Sequence, residues 1–204
     1  MNEFWDRRYS EPGYAYGTEP NAFLVSQRHR LRAGMRALAV GDGEGRNGVW
    51  LAAQGLEVLS VDASRVGLAK ARALAEERGV RIRTEVADLA SWTWPRAAFD
   101  LVVSIFVHLD PRQRPLIHQA MVEALAPGGW LILEAFTPAQ LGLRSGGPTA
   151  REWLYTAEQL RADFAGTEIV LLEETSTDLA EGVYHRGRAA VVRLVAKRPD
   201  DSSG

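Results

Sequence analysis

No cysteine occurs anywhere in the 204 residues, which removes disulfides, thiolate metal sites and any cysteine nucleophile together. Long hydrophobic runs are missing too: the charge-free apolar stretches fall far short of the roughly 20 residues a membrane helix needs. The opening Met1-Asn2-Glu3-Phe4-Trp5-Asp6 has no basic region and no apolar region of the secretory kind. Neither sign of charge is in excess. A net charge of −2 and a pI near 6.1 give no electrostatic basis for binding nucleic acid or an anionic membrane surface. What is present, 46% apolar and 25% charged residues, suits a packed core and not a disordered chain. These features predict a soluble, cytoplasmic protein with one domain over residues 1–198 and a disordered tail over 199–204.

Short β-rich runs alternate with segments of helical period, the pattern of an α/β fold with a largely parallel sheet. Strands are expected at Met35–Val40, Glu57–Asp62, Arg81–Val86, Phe99–Ile105, Trp130–Glu134, Glu168–Glu173 and Ala189–Ala196. The fourth is dense in Val, Leu and Ile, as a strand buried on both faces should be. Helices are expected at Asn47–Gln54, at Ser64–Arg78 with Gly79 as its stop, and at Pro111–Leu125. Thr156 and Gln159 have the spacing of a capping box opening a helix to about Phe164. Residues 1–20 carry Phe4, Trp5, Tyr9, Tyr14 and Tyr16 among Pro and Gly, too irregular for a long helix. Residues 135–155 read as a long glycine-containing loop, the kind that serves as a lid, a binding loop or a disordered link.

The chemistry is concentrated in Val40-Gly41-Asp42-Gly43-Glu44-Gly45-Arg46-Asn47, which follows a strand and opens a helix. Glycines there let the backbone approach a ligand, and the helix start offers unpaired N–H groups. A tight strand-to-helix turn would also need glycine. Asp62 ends the second strand, 21 residues after Gly41, where a carboxylate can accept from both hydroxyls of a ribose or cap the next helix. Asp88 follows the third strand, able to accept from an adenine amino group while Leu89 packs on the ring, or to act as an ordinary loop residue. A dinucleotide fingerprint would put its third glycine at position 46, which is Arg46. No Gly-Lys-Ser/Thr sequence of a P-loop occurs either.

With Gly-x-Gly-x-Gly, Asp62, Asp88, Phe99-Asp100-Leu101-Val102 and Pro127-Gly128-Gly129, nearly the whole chain resembles the class I S-adenosylmethionine-dependent methyltransferases. Within them it is similar to the TehB-like tellurite-resistance group. The residues carrying that likeness are Gly43-Glu44-Gly45-Arg46-Asn47, Leu51-Ala52-Ala53-Gln54-Gly55, Val61-Asp62-Ala63-Ser64 and Gly182-Val183-Tyr184-His185-Arg186. The resemblance implies a doubly wound, Rossmann-like, seven-stranded sheet, mostly parallel with an antiparallel last strand. It implies S-adenosyl-L-methionine as cofactor, held by Gly41, Asp42, Gly43, Arg46 and Asn47 of the loop. Asp62 with Ala63, Asp88 with Leu89, and Ser104 near the end of the fourth strand complete that expectation. Many members carry an acidic residue where Ala39 stands; Asp42 is the candidate to face the cofactor's methionine end instead.

Methyl transfer from a sulfonium is an in-line displacement, so the protein mainly holds acceptor and methyl in line, with a base only if the attacking atom carries a proton. The Asp/Asn-Pro-Pro-aromatic motif that serves exocyclic base nitrogens is absent, since Ser104-Ile105-Phe106-Val107 occupies its place. Base carbon-5 methylation and arsenite chemistry need cysteine, and no appended RNA-binding module fits the length. A small acceptor is expected, with no metal. The resemblance points to a tellurite- or selenite-like oxyanion, with His185 as proton acceptor and Arg186 gripping the anion; a charged hairpin is the plainer reading of that segment. His108 lies near the expected acceptor position, whereas His118 is expected at the surface and His29 on a solvated basic face. The amino-terminal aromatics, Tyr16 first among them because Gly17 adjoins it, suit a sulfonium cation or simply pack on the sheet edge. Two other readings are a same-fold enzyme with an unrelated N, O or S acceptor, and a non-catalytic protein that senses S-adenosylmethionine.

Overall fold

The computed structural model describes residues 2–200; of the tail expected to be disordered, residues 201–204 lie outside the described residues. Seven strands form one sheet in the order 3-2-1-4-5-7-6. The chain divides into two compact units, one of Met1–Trp92 with Ala180–Arg186 and one of Thr93–Leu179 with Gly187–Gly204.

The first unit begins with helix α1 (Asn2–Tyr9) and the short α2 (Ala22–Ser26), which Asn21 caps by accepting from Leu24 N at 3.0 Å. Strand β1 (Arg36–Val40) pairs in parallel with β2 (Glu57–Asp62), and β2 pairs in parallel with β3 (Arg83–Val86). Helices α3 (Arg46–Ala53) and α4 (Arg65–Glu77) make the crossovers that parallel pairing requires. Val49, Leu74 and Ala75 form a packed cluster that Tyr14, Val80 and Ile82 border. Ser64 caps α4, its hydroxyl accepting from Gly67 N at 3.0 Å.

In the second unit β4 (Phe99–Ile105) pairs in parallel with β5 (Leu125–Phe136), joined by α5 (Arg114–Ala124). The capping box of Thr156 and Gln159 opens α6 (Ala157–Asp163). Strand β6 (Glu168–Glu181) and β7 (His185–Lys197) are joined by a three-residue turn, and β7 runs antiparallel to β5. Phe136, Leu154, Leu179, Ala189 and Val191 form this unit's packed cluster, bordered by Phe106.

Three departures from the sequence reading have physical causes. β6 and β7 extend well past Glu173 and before Ala189, because their backbone ladder continues through polar residues that carry no apolar signal. Residues 137–155 are not an open loop: two 3-10 turns lie within them, and Gln140 is buried, donating to Ser145 Oγ and Gly146 O while accepting from Ala190 N. His118, expected at the surface, is 1% exposed. Its Nδ1 bonds Asp163 at 2.8 Å and its ring stacks on Phe164, because the buried face of α5 runs through Arg114, Ile117, His118, Met121 and Ala124 and leaves Leu116 of the expected stripe exposed. No helix among the described residues is long and apolar enough to cross a membrane.

Candidate cofactor and acceptor site

Between β1 and α3 the backbone turns through Gly41, Gly43 and Gly45, all at positive φ. At Gly43, φ is +56 and a Cβ would overlap the Tyr9 hydroxyl, so only glycine fits. Asp42 turns inward: it accepts from Gly48 N at 3.1 Å and from Ser60 Oγ at 2.6 Å, with Gly48 packed directly on it. Burial pushes its carboxyl up while these bonds hold it down. Both oxygens are thus engaged in the fold of the turn, rather than facing outward as a substitute for the missing acidic residue at Ala39.

Asp62 ends β2 beside the same turn. It accepts from Gly43 N at 2.9 Å and Ser64 N at 2.8 Å. Burial raises its carboxyl to about 6, against the pull of these two N–H groups and with Asp42 and Asp6 adding repulsion. The carboxylate therefore acts as an acceptor, and Ser64, not Asp62, caps α4. Each Asp62 oxygen has a second lone pair, so two ribose hydroxyls find acceptors there without breaking the existing bonds. That buried carboxylate, at a strand end beside a glycine-rich turn, fits the ribose of S-adenosylmethionine. Ala63 is half-buried next to it. Asp88 is exposed and starts a turn, accepting from Ala90 N at 3.1 Å, and Leu89 beside it is half-buried. Ser104 lies buried within β4, in the second unit.

The amino-terminal arm is anchored on this turn. Asp6 accepts from Ser64 Oγ and Val66 N at the start of α4, and Tyr9, 5% exposed, lies against Gly43 and Gly67. Glu44 accepts from Ala15 N at 2.7 Å and pairs with Lys70 at 2.9 Å. Ala15 O in turn accepts from Val183 N and Tyr184 N of the β6–β7 turn, where Gly182 packs on the backbone of residues 15–17 too closely for any side chain.

At that contact the structure assembles His185, Glu181 and Arg46. Arg46 donates to Glu181 at 2.8 Å, both side chains being at least 90% buried, and Glu181 lies 3.4 Å from His185 Nδ1. Burial pushes the Glu181 carboxyl up, but His185 and Arg46 outweigh it and bring it to about 2. Burial pushes the His185 imidazole down, opposed in part by Glu181, so the ring is neutral at pH 7. An Nδ1–H donor toward Glu181 makes the other ring nitrogen the proton acceptor. Asn47 accepts from Asn21 N at 3.0 Å, and Asn21 donates to Glu181 at 3.0 Å. Arg46 and Asn47 thus fasten arm to hairpin.

Tyr16 packs 4.5 Å from the His185 ring and 6.4 Å from the Tyr9 ring, linking the hairpin to the glycine turn. Its hydroxyl accepts from Arg8 at 3.3 Å, and Arg8 lies 3.7 Å over the Tyr184 ring. Arg186 does not join His185: it is exposed while His185 is 6% exposed, because adjacent strand residues point to opposite faces. His108 is a structural residue of the second unit, bonded to Trp153 O at 2.7 Å and accepting from Phe136 N at 3.2 Å. His29 is exposed and bonds Ser26 O. Among the described residues no group of His, Asp and Glu is arranged to hold a metal. Glu181, Arg8 and Asp6 escaped the sequence reading as individual site residues, whereas Tyr9 stood there among the amino-terminal aromatics. Glu181 left a local trace, four residues before His185 across a glycine turn.

The sheet order, with its antiparallel seventh strand, is the fold of the S-adenosylmethionine-dependent methyltransferases. Residues 37–129, from β1 into α5 and on to the start of β5, match the methyltransferase-domain family. A protein solved for the conversion of a disulfide bond into a thioacetal group during echinomycin biosynthesis is 20% identical, with a TM-score of 0.81 over 100% of this chain and 93% of that one. TehB from Haemophilus influenzae is 19% identical at TM-score 0.71, over 97% of this chain and 66% of its own. Magnesium protoporphyrin IX methyltransferase from Synechocystis PCC 6803, solved with bound S-adenosylhomocysteine, is 23% identical at TM-score 0.64, over 87% and 78%. Comparison with curated proteins gives no match. At such identities the solved structures establish the fold, and the acceptor must be argued from this chain's own residues.

Proposed function

We propose that this protein transfers the methyl group of S-adenosylmethionine to a small-molecule acceptor. The observation that carries the reading is Asp62, buried at the end of β2 with its carboxylate against Gly43 N and Ser64 N. When bound, the cofactor supplies an electrophilic methyl on a sulfonium. In this reading the cofactor lies along the Gly41–Gly45 turn, Asp62 accepts from the ribose, and Asp88 with Leu89 receives the adenine. Tyr16 and Tyr9 close the arm side of the site, where aromatic faces suit a cation. His185, held neutral by burial and oriented by Glu181, takes a proton where the acceptor atom carries one. Tellurite- and selenite-like oxyanions belong to the acceptor class and enter the test.

The test is calorimetry with S-adenosylmethionine, S-adenosylhomocysteine and NADH, followed by S-adenosylhomocysteine release across amines, thiols, carboxylic acids, selenite and tellurite. Binding of S-adenosylmethionine and S-adenosylhomocysteine, and turnover with at least one acceptor, are expected. Binding of NADH alone would overturn the cofactor assignment. Tight cofactor binding with no turnover on any acceptor would favour a sensor.

A further inference from the structure

We propose that Arg8 is the anion-binding residue of the acceptor site and that its ligand is an organic carboxylic acid, gripped by the guanidinium with the Tyr16 hydroxyl beside it. The word acceptor rests on the methyl-transfer reading; the binding itself does not. Three cations reach the region where arm and hairpin meet. Arg46 is neutralised by Glu181, and Lys70 by Glu44. Arg8 is the third, and among the described residues no carboxylate lies within ion-pair distance of it. The nearby acids are committed elsewhere: Asp6 to Ser64 and Val66, and Glu11 to the Tyr184 hydroxyl at 2.6 Å.

The guanidinium is also held in place by its neighbours. Its carbon lies 3.7 Å from the Tyr184 ring centre and 5.2 Å from that of Phe4, and one of its N–H groups donates to Tyr16. A guanidinium offers five N–H donors in a fork whose spacing matches the two oxygens of a carboxylate, and only one bond from Arg8, to Tyr16, is made within the arm. Arg8 is half-buried, so the edge is reachable yet poorly solvated. A carbon body attached to that carboxylate has aromatic surface to follow: Tyr16 leads at 4.5 Å to His185 and at 6.4 Å to Tyr9, which lies on Gly43 of the cofactor turn. An inorganic oxyanion would use the charge but none of these rings. Arg186, which the family resemblance nominated for the anion, is exposed on the flank of the hairpin.

The probes are benzoate, its uncharged isostere benzamide, and selenite, titrated by calorimetry into the full chain with and without saturating S-adenosylhomocysteine. The wild-type protein should bind benzoate, and bind it tighter than benzamide by roughly ten- to a hundredfold, the range of a charge-assisted bond pair. Arg8→Ala should remove that preference, Arg8→Lys should restore part of it, and the neighbouring Arg7→Ala, with the same charge change on the same helix, should keep it. Melting temperatures of the variants separate loss of the grip from loss of the arm. No benzoate binding by the wild-type protein overturns the proposal, as does an unchanged preference in Arg8→Ala, selenite binding tighter than benzoate, or a loss seen in Arg186→Ala instead. Failure of S-adenosylhomocysteine to bind, with Arg8-dependent benzoate binding intact, would sink the methyl-transfer reading and leave this site standing.

Discussion

Replacing Asp62 by alanine separates a cofactor ligand from a structural cap, because the two roles respond to pH in different ways. The carboxyl titrates at about 6 in the folded protein against an ordinary value of 3.8. Folded protein therefore binds the proton more tightly than unfolded protein, and stability falls as pH rises from about 4 through about 6. Linkage with these two values makes the group cost about 1.4 kcal/mol more at pH 7.5 than at pH 5. Alanine removes that dependence and strands Gly43 N and Ser64 N, at about 1–3 kcal/mol for a buried donor left unmade. The difference in unfolding free energy, wild type minus variant, should therefore be larger at pH 5 than at pH 7.5. Urea denaturation at both pH values reads it, and the histidines titrate alike in both proteins and cancel. The cofactor adds the decisive arm. Wild-type affinity for S-adenosylhomocysteine should strengthen from pH 5 to 7.5 as Asp62 ionises, while Asp62→Ala binds several-fold to roughly a hundredfold more weakly and without that trend. Equal dissociation constants for the two proteins at pH 7.5 would refute the ribose assignment, whatever the stability shows.

Glu181→Ala leaves Arg46 buried without its partner and should cost about 3–5 kcal/mol by urea denaturation, while the His185 pKa, read by NMR titration, moves further down. Gly43→Ala, strained at positive φ and overlapping Tyr9, should lower the melting temperature and cofactor affinity together; the stability loss should be smaller in a Tyr9→Ala background, and an additive double mutant would refute the contact. His118 is depressed below 6.5 by burial, with its Nε2 lacking a partner among the described residues, so its contribution to stability is present above pH 6.5 and lost as pH falls through its folded value. His118→Phe, with Asp163 still held by Arg114, should therefore gain on the wild type as pH drops from 7.5 to 5.5 in denaturation curves.

The sequence determined by itself what depends on neighbours along the chain. β2 and β4 have the bounds that their apolar runs indicate, and the Ser64 start and the Thr156–Gln159 box are both present, since a cap needs only residues within one turn. The glycine turn and Asp62 were legible for the same reason: a strand end and a φ-positive turn are local facts. The direction of a side chain is not local. Asp42 and Asp62 read alike as acids at the cofactor end, and both are buried, but Asp42 bonds Gly48 N and Ser60 Oγ of the next strand whereas Asp62 bonds Gly43 N and Ser64 N. His118 and Arg186 were each put on the wrong side of expectation, one buried and one exposed, by neighbours distant in the chain.

Tertiary structure alone decided the cluster around Arg46 and His185. Arg46 and Glu181 are 135 residues apart, and Tyr184 and Glu11 are 173 apart. Burying a charge is tolerable only beside its opposite, and nothing in the local pattern of either segment says which opposite will arrive. The turn between β6 and β7 brings Glu181 and His185 against Arg46 and Tyr16. The arm brings Arg8 to Tyr184 with no carboxylate among the described residues to neutralise it.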